Sequence, residues 1–354
     1  MRTLYWGLVR VSGIMLLLAS SSATSLRASE LPALTVAITH GDFVKITSVV
    51  AEQHGQIVTE QYFEGSGRDA LNDVRSAGKS VTALAVGLAI ADQRLAGVDT
   101  RVMSAFSDLA PFAHPSPAKE EITVEDLLTM SSAFDCDDWN DVSPGNEDRM
   151  YESPNWTRFV VDLPVKANYK RDSDGRGRFS YCTAGAFLLG QLIQRVTGER
   201  VDHYIEHQLF SPLGIDRVSW RFSPSGEVLT GGQTRYRARD LVKLGRLVLD
   251  HGKWQGRQVV PTTWIDAMLT VRRKADADND YGYFWWRRDF RSTTGGLHSG
   301  WYMSGNGGNK VVVFFDLDAV VVVTSTNYNT RGMHQQTTRL IEQYVLPRLE
   351  ERKT

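Results

Sequence analysis

The sequence predicts an α/β (α+β) fold: one antiparallel sheet built from both ends of the chain, flanked by helices, with a mainly helical region inserted between. Three observations carry this. Residues 45–52 and 56–63 are rich in Val, Ile, Tyr and Phe about a His54-Gly55 pair, the pattern of a β-hairpin. Residues 311–315 and 319–323 are unbroken β-branched and aromatic runs about a tight turn, as in strands covered on both faces. The stretches between carry helical spacing separated by polar loops. Strands at the ends and helices in the middle bury their apolar surface most simply as a sheet packed against helices.

Taken in order, residues 1–28 read as a secretory signal. Arg2 and Arg10 precede an apolar Leu-rich stretch, and small residues follow from Ser20 to Thr24. The apolar stretch is shorter than the roughly 20 residues that span a bilayer. The expectation is an exported protein, periplasmic or secreted, with no stable membrane insertion after cleavage. Residues 29–354 then form the functional domain, with 29–75 and 235–354 as the sheet region and 76–234 as the helical region.

Residues 81–91 are apolar almost all round and read as a buried helix, with Asp73 as the expected cap of its first turn. A short helix is expected from near Thr123, polar loops over 135–149 and 170–178, and helices over 184–196, 201–209 and 238–249. The last helix shows Leu340, Ile341, Tyr344 and Val345 on one face and is expected to end near Pro347.

The charge balance, 40 Lys plus Arg against 41 Asp plus Glu, argues against nucleic acid or an anionic membrane as partner. Cys136 and Cys182 leave two readings open, a disulfide suited to export or two buried free thiols. No cysteine spacing suits a metal. His203 and His207 with Glu206 match a zinc-protease pattern, but the apolar face of that helix turns all three outward, so no metal is expected.

Chemistry is carried first by Ser76-x-x-Lys79. A Ser hydroxyl is a poor nucleophile until a base takes its proton. A Lys one helical turn away on the same face, held out of water, is such a base. The positive end of the buried helix favours a developing anion. Ser116-x-x-Lys119 matches the same pattern, but acidic residues follow it rather than a buried helix, so it reads as a loop with a solvated Lys.

Residues 73–84 (DVRSAGKSVTAL), 127–132 (LLTMSS), 179–190 (FSYCTAGAFLLG), 210–215 (FSPLGI), 234–247 and 305–328 together resemble the serine β-lactamase and penicillin-binding protein superfamily, in its class C-like branch. That branch includes esterases, DD-peptidases and aminohexanoate-dimer hydrolases. The resemblance covers nearly all of the chain after residue 28 and implies a β-lactamase/transpeptidase-like fold without cofactor or metal. It implies Ser76, Lys79 and Tyr181 as catalytic residues, Tyr181 standing in a Tyr-x-Asn element whose Asn is here Thr183, a substrate-binding position. Its Tyr shuttles a proton, for which a phenol lowered by the Lys79 ammonium is expected.

The third motif of the family is placed at Met303-Ser304-Gly305, with His298-Ser299-Gly300 as the competing placement. Ser304, Gly305 and His298 are therefore candidate substrate contacts. The backbone N–H groups of Ser76 and Asn306 are the expected oxyanion donors. Met303 cannot supply the cation that holds a substrate carboxylate in relatives; Arg291, Arg331 and His298 are the candidate replacements. The expected activity is that of a serine hydrolase forming an acyl-enzyme with a small ester or amide. The alternatives are a peptidoglycan DD-peptidase, a β-lactam-hydrolysing enzyme or a non-catalytic sensor domain.

Overall fold

The computed structural model describes residues 1, 3 and 30–352. Most of the expected signal sequence lies outside the described residues. Among those described, no helix is long and apolar enough to cross a membrane.

Eight strands form one antiparallel sheet: β1 (Ile46–Gln53), β2 (Gln56–Tyr62), β3 (Arg273–Lys274), β4 (Asp280–Tyr281), β5 (Trp286–Arg291), β6 (Leu297–Gly305), β7 (Asn309–Phe314) and β8 (Ala319–Ser325). Their spatial order is β2-β1-β8-β7-β6-β5-β4-β3. The two ends of the chain meet where β1 pairs with β8, Val50 opposite Val322. The hairpin at His54-Gly55 and the tight turn between β7 and β8 fall where the sequence placed them.

The Val-rich runs are apolar throughout because alternate residues enter two cores. Val311, Val313, Val320 and Val322 face the helical region, whereas Val312, Phe314, Val321 and Val323 face the opposite layer. That layer consists of α1 (Pro32–Thr39) and the C-terminal helix. The helical side carries α2 (Lys79–Ala91), α3 (Thr183–Thr197) and α4 (Ala238–Leu249). Gly245 lets α4 lie close on the sheet, since a Cβ there would come within 2.4 Å of Val320.

Two expectations are corrected. Ser116 caps a short helix, Pro117–Glu120, and Lys119 is buried rather than solvated. Its ammonium donates to the carbonyls of Ala113 and Val161 at 2.9 and 3.0 Å, which offsets the burial of its charge. The C-terminal helix, α5 (Met333–Leu340), does not stop at Pro347. It passes through a π-helical turn, Ile341–Val345, and resumes over Leu346–Glu350 with Pro347 in its first turn, where the missing N–H costs nothing.

Candidate active site

Ser76 follows a backbone turn made by Arg75, whose φ of +52° lies in the left-handed region. Local contacts hold that conformation. The Arg75 N–H donates to Asp73 Oδ1 at 3.0 Å, and its guanidinium lies 4.1 Å over the Tyr328 ring. Ser76 then enters a 3₁₀ turn, Arg75–Gly78, that runs into α2 without a side-chain cap, so Asp73, expected to cap that helix, instead serves the Arg75 turn ahead of it. A 3₁₀ turn eclipses residues i and i+3. Lys79 Nζ consequently lies 2.9 Å from Ser76 Oγ, and it also donates to the Gly231 carbonyl at 2.6 Å. Lys79 is 1% exposed.

Tyr181 is the third member of this cluster. It is buried, hydrogen-bonded with Ser76, and its ring centroid lies 5.0 Å from Lys79 Nζ. Burial pushes its phenol up, and the downward pulls of Lys79 and Ser76 do not compensate. This corrects the expectation of a lowered phenol: Tyr181 rests protonated.

The start of α3 is fastened to the loop at 136–139. Cys136 and Cys182 are joined as a disulfide, and Ser180 Oγ donates to the Cys136 carbonyl at 2.7 Å. Trp139 stacks parallel on Tyr181 at 5.6 Å. Asp138 is buried against Glu147, and these two effects raise its carboxyl to about 7 despite Lys79 and the Thr183 N–H it accepts. Thr183, expected at the substrate, is fully buried with its hydroxyl unpartnered among the described residues and does not line the pocket. Its methyl packs against Gly231, where an added Cβ would come within 2.6 Å of it.

The third element is the end of β6. Pairing with β5 stops at Tyr302, opposite Trp286, so Met303 to Gly305 present an unpaired edge. A Cβ on Gly305 would fall 1.9 Å from the Val74 carbonyl oxygen, which shows how closely this strand approaches the Ser76 turn. Ser304, Gly305 and Asn306 line one pocket of about 810 Å³ with Ser76 and Tyr181. Of the two placements considered, this is the end that meets Ser76. His298 lies at the other end of β6, where Asp316 and Glu350 bond its two ring nitrogens at 2.6 and 2.7 Å, so it is not a substrate contact.

Asp138, Trp139, Lys310 and His334 also line the pocket and were not anticipated. Lys310 stands opposite Ser304 on β7, and that cross-strand relation appears only once the register is known. Among the described residues no group of three or more His, Cys, Asp and Glu could hold a metal ion.

The Beta-lactamase family profile matches residues 38–346, from α1 to the C-terminal helix. The chain belongs to the beta-lactamase family. Within it, the chain is 26% identical over 234 residues to a 6-aminohexanoate-dimer hydrolase of Paenarthrobacter ureafaciens, covering 64% of this chain and 58% of that protein. The chain therefore spans less than two thirds of that relative's length. Two solved structures share the fold. A penicillin binding protein from Bacillus halodurans superposes with a TM-score of 0.66 at 18% identity, over 87% of this chain and 98% of its own. A D-stereospecific amidohydrolase from Streptomyces sp. gives 0.65 at 16%, over 88% and 94%. For this beta-lactamase family chain, the fold expected from its sequence is the fold observed.

Proposed function

We propose that this chain is a serine hydrolase that forms an acyl-enzyme on Ser76 with a small ester or amide. The observation that carries this is Lys79 Nζ at 2.9 Å from Ser76 Oγ with Tyr181 hydrogen-bonded to the same serine. Ser76 Oγ attacks the carbonyl carbon as its proton passes to Lys79. The carbonyl oxygen becomes an oxyanion between the backbone N–H groups of Ser76 and Asn306. The C–N or C–O bond then breaks, the leaving group takes the Tyr181 proton, and Lys79 returns one to Tyr181. Water attacks the acyl-enzyme by the same relay in reverse and releases the acid.

The names of the relatives favour an amide: one is a 6-aminohexanoate-dimer hydrolase and another an amidohydrolase. Export is part of the proposal, supported by the Cys136–Cys182 disulfide, a bond that persists in oxidising compartments.

The test is labelling of the protein by a fluorophosphonate and, separately, by a fluorescent penicillin, with the adduct located by mass spectrometry. Phosphonate on Ser76, lost in Ser76→Ala, is the expected result. Additional labelling by penicillin would move the substrate toward peptidoglycan. Labelling by neither reagent in folded protein would overturn the reading in favour of a non-catalytic domain.

A further inference from the structure

Lys310 is buried, 3% exposed, yet lines the pocket that contains Ser76. Its neighbours do not neutralise it. The ammonium lies 4.3 Å over the Tyr302 ring, and the charged group nearest in effect is a second cation, Arg288. Among the described residues its ammonium has no ion pair or hydrogen bond, and burial and Arg288 are what act on it. Beside it, His334 of α5 lines the same pocket with Nδ1 buried and unpartnered. Of the carboxylates lining this pocket, Asp276 and Glu342 already accept N–H groups, from Asn279 and Arg291, Asp138 and Glu147 lie with Ser76 and Tyr181, and Asp278 stands beside Asp276 without pairing with Lys310.

A buried ammonium without an anion is a costly arrangement in a folded protein. The cost falls when an anion enters and is bound by charge-assisted hydrogen bonds. Register places this cation beside Ser304, its cross-strand partner, on the face of the sheet that Val312 and Phe314 turn toward the C-terminal helix, and the pocket joins that face to Ser76. Burial holds the Lys310 amine down at about 7, so an incoming anion would also draw it to the charged form.

We propose that Lys310, with Arg288 and the Nδ1 of His334, forms an anion subsite, and that the substrate is an amide or ester carrying a carboxylate that lies over Ser304. The inference rests on the hydrolase reading for its substrate, but the subsite can be read without turnover. It moves the cation one strand away from the third motif, where Met303 stands.

The experiment has two arms. In the first, kcat/KM is measured for glutaryl-4-nitroanilide against pentanoyl-4-nitroanilide, and for 4-acetamidobenzoate against acetanilide. The wild-type protein is expected to favour the carboxylate in at least one pair by tenfold or more. Lys310→Met and Lys310→Gln, checked for folding by thermal melting, should collapse that ratio to within twofold. In the second arm, glutarate binding to Ser76→Ala protein is measured by calorimetry and should weaken at least tenfold with either Lys310 substitution. Binding through Lys310 in a protein that hydrolyses no substrate would sink the hydrolase reading and leave the subsite standing. A preference that survives both substitutions, or glutarate that fails to bind, overturns the subsite.

Discussion

Asp138 holds Tyr181 from two directions. Its backbone N–H donates to the Tyr181 carbonyl at 2.8 Å, and its carboxylate accepts the N–H of Thr183, two residues further on, at 2.7 Å. The other carboxylate oxygen accepts the Glu147 N–H at 3.0 Å. The phenol beside Ser76 is thus aimed by a residue that need not itself touch substrate.

Replacing Asp138 tests that positioning. Asn keeps one acceptor but turns an NH₂ toward the other backbone N–H, and the loss of one such bond to a charged group is worth about 1.5–3 kcal/mol. Asp138→Asn is expected to lower kcat tenfold or more with a smaller change in KM. Because burial and Glu147 raise the Asp138 carboxyl to about 7, wild-type activity should climb as that group ionises through neutral pH. That inflection should be absent from the variant's kcat/KM profile; an unchanged profile would show that Asp138 has no such role.

Gly305→Ala tests the approach of β6 to the nucleophile turn. The added methyl meets backbone at Val74 and Ala77, neither of which is a flexible side-chain end. Overpacking of this kind costs about 1–3 kcal/mol, and relief by moving the turn displaces Ser76. Activity is expected to fall a hundredfold or more with a lowered melting temperature. Gly67→Ala, where a Cβ meets nothing within 4 Å, is the control and should change neither.

Much of this site was legible because the sequence holds its short-range terms. Ser76 and Lys79 lie in one turn, and the buried helix after them separates this pair from Ser116 and Lys119. The even burial of the Val-rich strands followed from their lack of alternation. What escaped depends on register and on distant segments. Lys119 is satisfied by a carbonyl 42 residues away, and Lys310 reaches the pocket through pairing with Ser304. Tyr181 was misjudged because a neighbouring cation is visible in a motif, whereas the depth of burial that outweighs it is not.

Removing the disulfide should loosen both stability and catalysis. Cys136 and Cys182 close a loop with a sequence separation of 46. A cross-link of that span restricts the unfolded chain by about 4 kcal/mol on the loop-entropy account. The Cys136→Ala, Cys182→Ala double variant is expected to lose about 2–4 kcal/mol in denaturant unfolding. Since Cys182 adjoins Tyr181, kcat should fall as well; full activity in the double variant would mean that the hydrogen bonds at Ser180, Tyr181 and Thr183 suffice alone.

The His298 clasp gives stability a pH dependence with a definite sign. Burial pulls this imidazole down, but the hydrogen bonds from Glu350 and Asp316 outweigh it and hold the ring protonated above its usual range. A His raised in the folded state stabilises fully below its unfolded value, about 6.5, and loses that contribution as pH rises through the folded value. Glu350 runs the other way. Burial pushes it up, but His298, Thr294 and Ser292 hold it below its usual range, so its contribution disappears in acid. The bond ties Glu350, in the last helical segment, to β6. Wild-type unfolding free energy should therefore exceed that of His298→Gln most between the Glu350 and His298 transitions. The difference should narrow above about pH 6.5 and again toward strong acid. A difference independent of pH, measured by urea unfolding across that range, would show that packing rather than charge holds the C-terminal helix to the sheet.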